Sequence, residues 1–184
     1  MKRDLDNQTL LKPRNFAHFV LRTTDLKASI AFYEKLLGMH VVHQAPFIAF
    51  MTYDDEHHRI ALVATPVNDP APPGAAGLDH VAYTFSSLEA LLGSYLRLKD
   101  AGILPVWSIN HGPTTSLYYA DPDGNRIELQ IDNFDSDKQA QEFMDSDLFA
   151  QNPIGVEFDP DKLAERFLAG DPIEELKQQG ATDG

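Results

Sequence analysis

Two stretches, Phe16-Ala17-His18-Phe19-Val20-Leu21-Arg22 and Asp79-His80-Val81-Ala82-Tyr83-Thr84-Phe85, decide the fold when set side by side. Each is a short β-rich run with a histidine near its head, and each leads into apolar residues of helical period. After the first, Leu26, Ile30, Tyr33 and Leu37 recur at helical spacing, and Gly38 marks the end. After the second, Ser86-Ser87-Leu88-Glu89 reads as a capping box, Leu88, Leu91, Leu92 and Tyr95 form the stripe, and Gly102 closes the helix. Further β-rich segments follow in both copies, at 47–53 and 59–65 in the first, then at 104–109, 116–121 and 126–132 in the second. The closing strands align residue for residue, Arg59-Ile60-Ala61-Leu62 against Arg126-Ile127-Glu128-Leu129. The expected fold class is α+β: paired βαβββ modules forming one curved mixed sheet around a concave face, helices outside. The modules span residues 15–65 and 78–134 of a domain at 15–134, joined by a Pro-, Gly- and Ala-rich linker at 66–77. An extension at 1–14 precedes them.

Composition bounds what such a chain can do. The 184 residues suffice for one ordinary domain, and no apolar run approaches the roughly 20 residues that cross a bilayer. A formal charge of -13 would repel nucleic acid and anionic membranes, so neither is an expected partner. Residues 135–184 hold 13 acidic against 4 basic side chains, in short helical patterns broken at Asn152-Pro153 and Asp171-Pro172. We expect this tail to be a set of short helices packed on the body with an acidic outer face. The opening Met1-Lys2-Arg3-Asp4 has no apolar stretch after it, so no secretory signal or transit segment is visible and the expected location is the cytoplasm. With no cysteine, any metal must be held by imidazole nitrogen and carboxylate oxygen.

Strand alternation supplies such a set. In 126–131 the apolar Ile127, Leu129 and Ile131 should face the helices, which turns Glu128 into the concavity. The same parity turns His80 inward, and His18 holds the equivalent place in the first module. Two imidazoles and one carboxylate on rigid strands form the facial triad suited to Fe(II) or Mn(II), with positions left for substrate and dioxygen. The first-module equivalent of Glu128 is Ala61, which cannot ligate, so the site stays open rather than becoming a four-ligand cage.

At these residues the chain resembles the vicinal oxygen chelate superfamily, which includes glyoxalase I, drug-sequestering resistance proteins and extradiol catechol dioxygenases. The stretch from Ile109-Asn110-His111-Gly112-Pro113 through Leu117-Tyr118 and Asp121-Pro122-Asp123-Gly124 to Glu128 is similar to the extradiol ring-cleavage signature. The segment Asn152-Pro153-Ile154-Gly155-Val156-Glu157-Phe158-Asp159 resembles the tail of short, single-module-pair 2,3-dihydroxybiphenyl 1,2-dioxygenases. The resemblance implies Fe(II) held by His18, His80 and Glu128, and extradiol cleavage of a catecholic aromatic diol by dioxygen, in the service of aromatic catabolism. It further implies that His58 assists proton transfer, and that His111 and Tyr118 hydrogen-bond substrate or product oxygens. Simple parity counted back from Ala61 would instead aim His57 and Arg59 into the cleft, so a bend must intervene if His58 is the one that acts. Trp107 and Phe47 are candidates for an aromatic pocket wall or for core packing. Asp121 to Gly124 reads as a tight turn, and His40 and His43 as exposed strand residues. A homodimer is the expected assembly. Two other activities fit the superfamily: a glyoxalase-type metal-dependent isomerase or lyase, which Ala61 argues against, and a metal-free protein that sequesters a small aromatic molecule.

Overall fold

The computed structural model describes residues 12–66 and 76–183; most of the extension before residue 15 and most of the inter-module linker lie outside them. The first module runs β1 (Phe19–Thr23), α1 (Leu26–Leu37), β2 (His40–Ala45), β3 (Ile48–Thr52) and β4 (Ile60–Ala64). The second repeats the order with β5 (His80–Thr84), α2 (Leu88–Asp100), β6 (Trp107–Asn110), β7 (Thr114–Ala120) and β8 (Arg126–Asp132). Helix α1 is capped by Asp25, whose carboxylate accepts from the Ala28 amide, and it ends at Gly38 with φ 64°. Helix α2 is capped by Ser87 through the Ala90 amide, one residue later than the capping-box reading, because Ser87 is the last residue of extended backbone.

The α+β class and the βαβββ pairing are as expected, but the hydrogen-bonded ladders make two mixed sheets rather than one. Their orders are β1-β4-β3-β2 and β5-β8-β7-β6-β9, the last strand being supplied by Val156–Glu157 of the tail. The repeat is visible in the register: parallel β1 and β4 pair Val20 with Ala61, and parallel β5 and β8 pair Ala82 with Glu128. Ala61 and Glu128 are therefore equivalent positions, as are His18 and His80 two residues ahead of Val20 and Ala82.

Both helices lie on the apolar sheet faces. Tyr33 and Leu36 of α1 and Leu91, Leu92, Tyr95 and Leu98 of α2 are buried together with Ile60, Leu62, Ile127, Leu129 and Ile131. The tail continues as α3 (Asp137–Met144), α4 (Asp147–Gln151), α5 (Pro160–Leu168) and α6 (Ile173–Leu176). Leu163, Ala164 and Leu176 enter the same core, and Tyr95 donates to Asp161 at 2.6 Å, tying α5 to α2.

The turn at Asp121 to Asn125 does more than reverse the chain. Asp121 accepts from the amides of Asp123 and Asn125 at 3.0 and 2.8 Å, a local Asx-type network. Its other oxygen accepts from the Tyr33 hydroxyl of α1 at 3.0 Å. The Thr24 amide and hydroxyl both donate to Asp123, at 3.0 and 2.6 Å. The turn that launches β8 is thus clasped to the first module.

Candidate metal and proton-transfer site

Glu128 is only 4% exposed and lies on the β8 face opposite Ile127 and Leu129, so folding must give its carboxylate partners. His80 Nε2 stands 3.0 Å from Glu128 Oε2. Two ligands about 2.1 Å from one metal and at right angles to each other lie about 3.0 Å apart, so the pair fits adjacent coordination positions. The other ring nitrogen, His80 Nδ1, donates to Asp79 Oδ2 at 2.8 Å, so Nε2 is the nitrogen turned to Glu128 and available to a metal. That bond, with Arg126 next to it, holds the Asp79 carboxyl below the usual carboxylate range.

Tyr118 of β7 is the register partner of Glu128 and shares its face. Burial, and then the Glu128 carboxylate, push the phenol above its ordinary value, so it stays a proton donor at neutral pH. His111 Nε2 lies 3.0 Å from the Tyr118 hydroxyl, which connects the end of β6 to the His80–Glu128 pair. Trp107 leans on Tyr118 with ring centroids 4.9 Å apart, and the Arg126 guanidinium covers both rings at 5.4 and 5.0 Å.

The first module contributes a separate imidazole cluster. His18 stacks on His58 with ring centroids 4.1 Å apart, and His58 meets Phe50 edge-on at 5.0 Å. Phe50 pairs with Ala61 across β3 and β4, so His58 lies on the Ala61 face of this sheet, the face equivalent to that of Glu128. Residues 53–59 bend away from strand geometry before β4 begins at Ile60, and this breaks the parity count. Asp54 organises that bend, accepting from the Glu56 amide at 3.2 Å and from Arg59 through Nε and a terminal nitrogen at 3.1 and 2.9 Å. Arg59 is thereby turned to Asp54 and to the carbonyls of Phe16 and Ala17. His57 hydrogen-bonds His58 ring to ring at 2.6 Å, with its own side chain 67% exposed. Desolvation first, then His18 and His57, lower the His58 pKa from its ordinary value, so this ring is neutral with a lone pair to offer.

The six candidate residues therefore fall into two groups, His80, Glu128, Tyr118 and His111 on the second sheet, and His18 with His58 on the first. Among the described residues no three His, Asp or Glu side chains stand close enough to hold a metal ion by themselves. A cavity of about 470 Å³ lies between the modules, walled by β5 residues and by Phe16, Tyr53 and Arg59. Phe47 is a largely exposed residue in the β2–β3 turn, while His43 shares the Phe50 face across β2 and β3. Sequence reading missed the Asp79, Arg126 and Ile154 contacts. Asp79 had a signal, an acidic residue directly before a candidate ligand; Ile154 acts through its backbone and had none.

The chain matches the family model described as glyoxalase/bleomycin resistance protein/dioxygenase superfamily over residues 15–129. It belongs to that superfamily. Two curated relatives from Rhodococcus globerulus, biphenyl-2,3-diol 1,2-dioxygenase 2 and biphenyl-2,3-diol 1,2-dioxygenase 3, are each 46% identical to it. The matches cover 88% and 87% of this chain and 85% of each relative. The crystal structure of a lactoylglutathione lyase from Agrobacterium tumefaciens superposes with a TM-score of 0.52 at 23% identity, over 65% of this chain and 94% of that one. At that identity the likeness is one of superfamily fold.

Proposed function

We propose that this superfamily member is an extradiol dioxygenase, opening a catecholic ring beside its hydroxyls with dioxygen, on a hydrophobic diol of the 2,3-dihydroxybiphenyl kind. The observation that carries the reading is the continuity of the His80–Glu128 pair with the Tyr118–His111 hydrogen bond on one sheet face. The naming of both 46% identical relatives as biphenyl-2,3-diol dioxygenases supports the reaction class. We assign His80 and Glu128 as metal ligands and His18 as the third, although His18 lies beside His58 on the first sheet; Fe(II) is our assignment over Mn(II). A metal bound there would supply Lewis-acid binding of the diol and a route for charge between diol and dioxygen. His58, neutral and on the Ala61 face of its sheet, takes a proton from a catechol hydroxyl. Tyr118 meets the substrate or product oxygens, with His111 behind it to take up the phenol hydrogen. Trp107 and Arg126 hold the Tyr118 ring in place. We also assign a cytoplasmic homodimer, with the domain at 15–134 and the tail at 135–184.

The test is anaerobic loading with Fe(II), then oxygen uptake and visible absorbance with 2,3-dihydroxybiphenyl, catechol and 3-methylcatechol. Stoichiometric oxygen uptake with a yellow ring-opened product is the expected outcome. Iron binding without oxygen uptake on any of the three would defeat the proposal.

A further inference from the structure

The tail segment at 152–157 meets the second sheet along β6, next to the proton-transfer residues. Val156 and Glu157 pair with Asn110 and Ile109. Glu157 accepts from Trp107 Nε1 at 2.7 Å. The Ile154 carbonyl lies 2.5 Å from His111 Nδ1. Gly155, at φ +115°, packs so closely on β6 that an added Cβ would collide with the Asn110 carbonyl oxygen and lie 2.7 Å from His111 Cα. Asn152 clamps the bend from the other side, donating to the Gly155 carbonyl at 2.7 Å and accepting from its amide at 3.1 Å.

A carbonyl oxygen only accepts, so the ring nitrogen facing Ile154 must carry the hydrogen. In a neutral imidazole the other nitrogen then presents a lone pair, and that nitrogen faces the Tyr118 hydroxyl. We propose that the 152–157 segment is a working part of the site: Ile154 and Gly155 are positioning residues that fix His111 as the Nδ1–H tautomer, with Nε2 as acceptor for Tyr118. Without them His111 sits at a strand end before Gly112-Pro113 and can turn or exchange tautomers, leaving Tyr118 with a donor opposite it in part of the population. The minimal paired modules end at residue 134, so the tail adds a control on proton placement that the sheets alone lack. The inference builds on the extradiol reading, since it assigns these residues to proton handling in that reaction.

The deciding measurement is 15N-edited NMR of the imidazoles in the full 184-residue chain, metal-free, with His111 assigned by its loss in His111→Asn. Wild type should show His111 as a single Nδ1–H tautomer. Gly155→Ala should give mixed tautomers while keeping the wild-type metal stoichiometry. In the Fe(II)-loaded enzyme it should lower kcat about tenfold or more, move the pH profile of kcat and leave KM nearly unchanged. If Gly155→Ala does not fold, Asn152→Ala carries the same readouts, because it loosens the bend without a steric collision. A wild-type His111 protonated on Nε2, or a variant that displaces the segment with tautomer and pH profile unchanged, would overturn the proposal. A chain with the tautomer fixed and sensitive to these substitutions, yet inactive on every diol, would sink the ring-cleavage reading and leave the positioning role standing.

Discussion

A carboxylate as buried as Glu128 needs partners, and the fold supplies two: an imidazole at 3.0 Å and a phenol on the same face. The His80–Glu128 pair also suits a bound cation, which would replace their direct contact with two coordinate bonds. The roles of Glu128 and His58 separate cleanly by mutation. Glu128→Ala should abolish iron binding, read by metal analysis after anaerobic loading and desalting. His58→Phe should retain iron and lower kcat by about a hundredfold, as loss of a general base does. Equal iron loss in the two variants would contradict the assignment of His58 as a proton carrier.

At the scale of elements, β8 is where core and site are read from one strand. Its alternate residues Ile127, Leu129 and Ile131 are buried against α2, while Glu128 and Gln130 take the other face. Leu129→Ala should therefore cost about 2–5 kcal/mol by opening a core cavity, and the melting temperature should fall accordingly. Below that melt the variant should still bind iron at wild-type stoichiometry; loss of iron while folded would show that the two faces are not independent. This strand was legible in the sequence because period-two burial leaves its mark on residue type, and the repeat located His18 and His80 for the same reason. The 53–59 bend was less legible, since a loop held by Asp54 and Arg59 follows no period; parity pointed to His57, whereas the bend sets His58 against His18 and Phe50. The Ile154 contact was not legible at all, because a backbone carbonyl carries no signature in the side chain above it.

At the scale of the whole molecule, two modules with separate ladders share one core and are further joined by side-chain clasps at the 121–125 turn. Burial alone would raise the Asp123 carboxyl, but the Thr23 and Thr24 hydroxyls and the Thr24 amide outweigh it and hold it below its ordinary value. A carboxyl depressed on folding adds stability that is complete above the unfolded value of about 3.9 and is lost as pH falls through the folded one. Asp123→Asn should therefore melt below wild type at neutral pH, with the gap closing in thermal scans below about pH 4; a gap that does not depend on pH would exclude the charge as its source. The corresponding loop of the first module, 53–59, is held by Asp54 in the same local manner but spends its second oxygen on Arg59. One copy of the turn became a fastener between halves, and the other became a mount for His57 and His58. The repeat is thus symmetric in its strands and divided in its turns: the two halves could not trade places, since each holds what the other gave up.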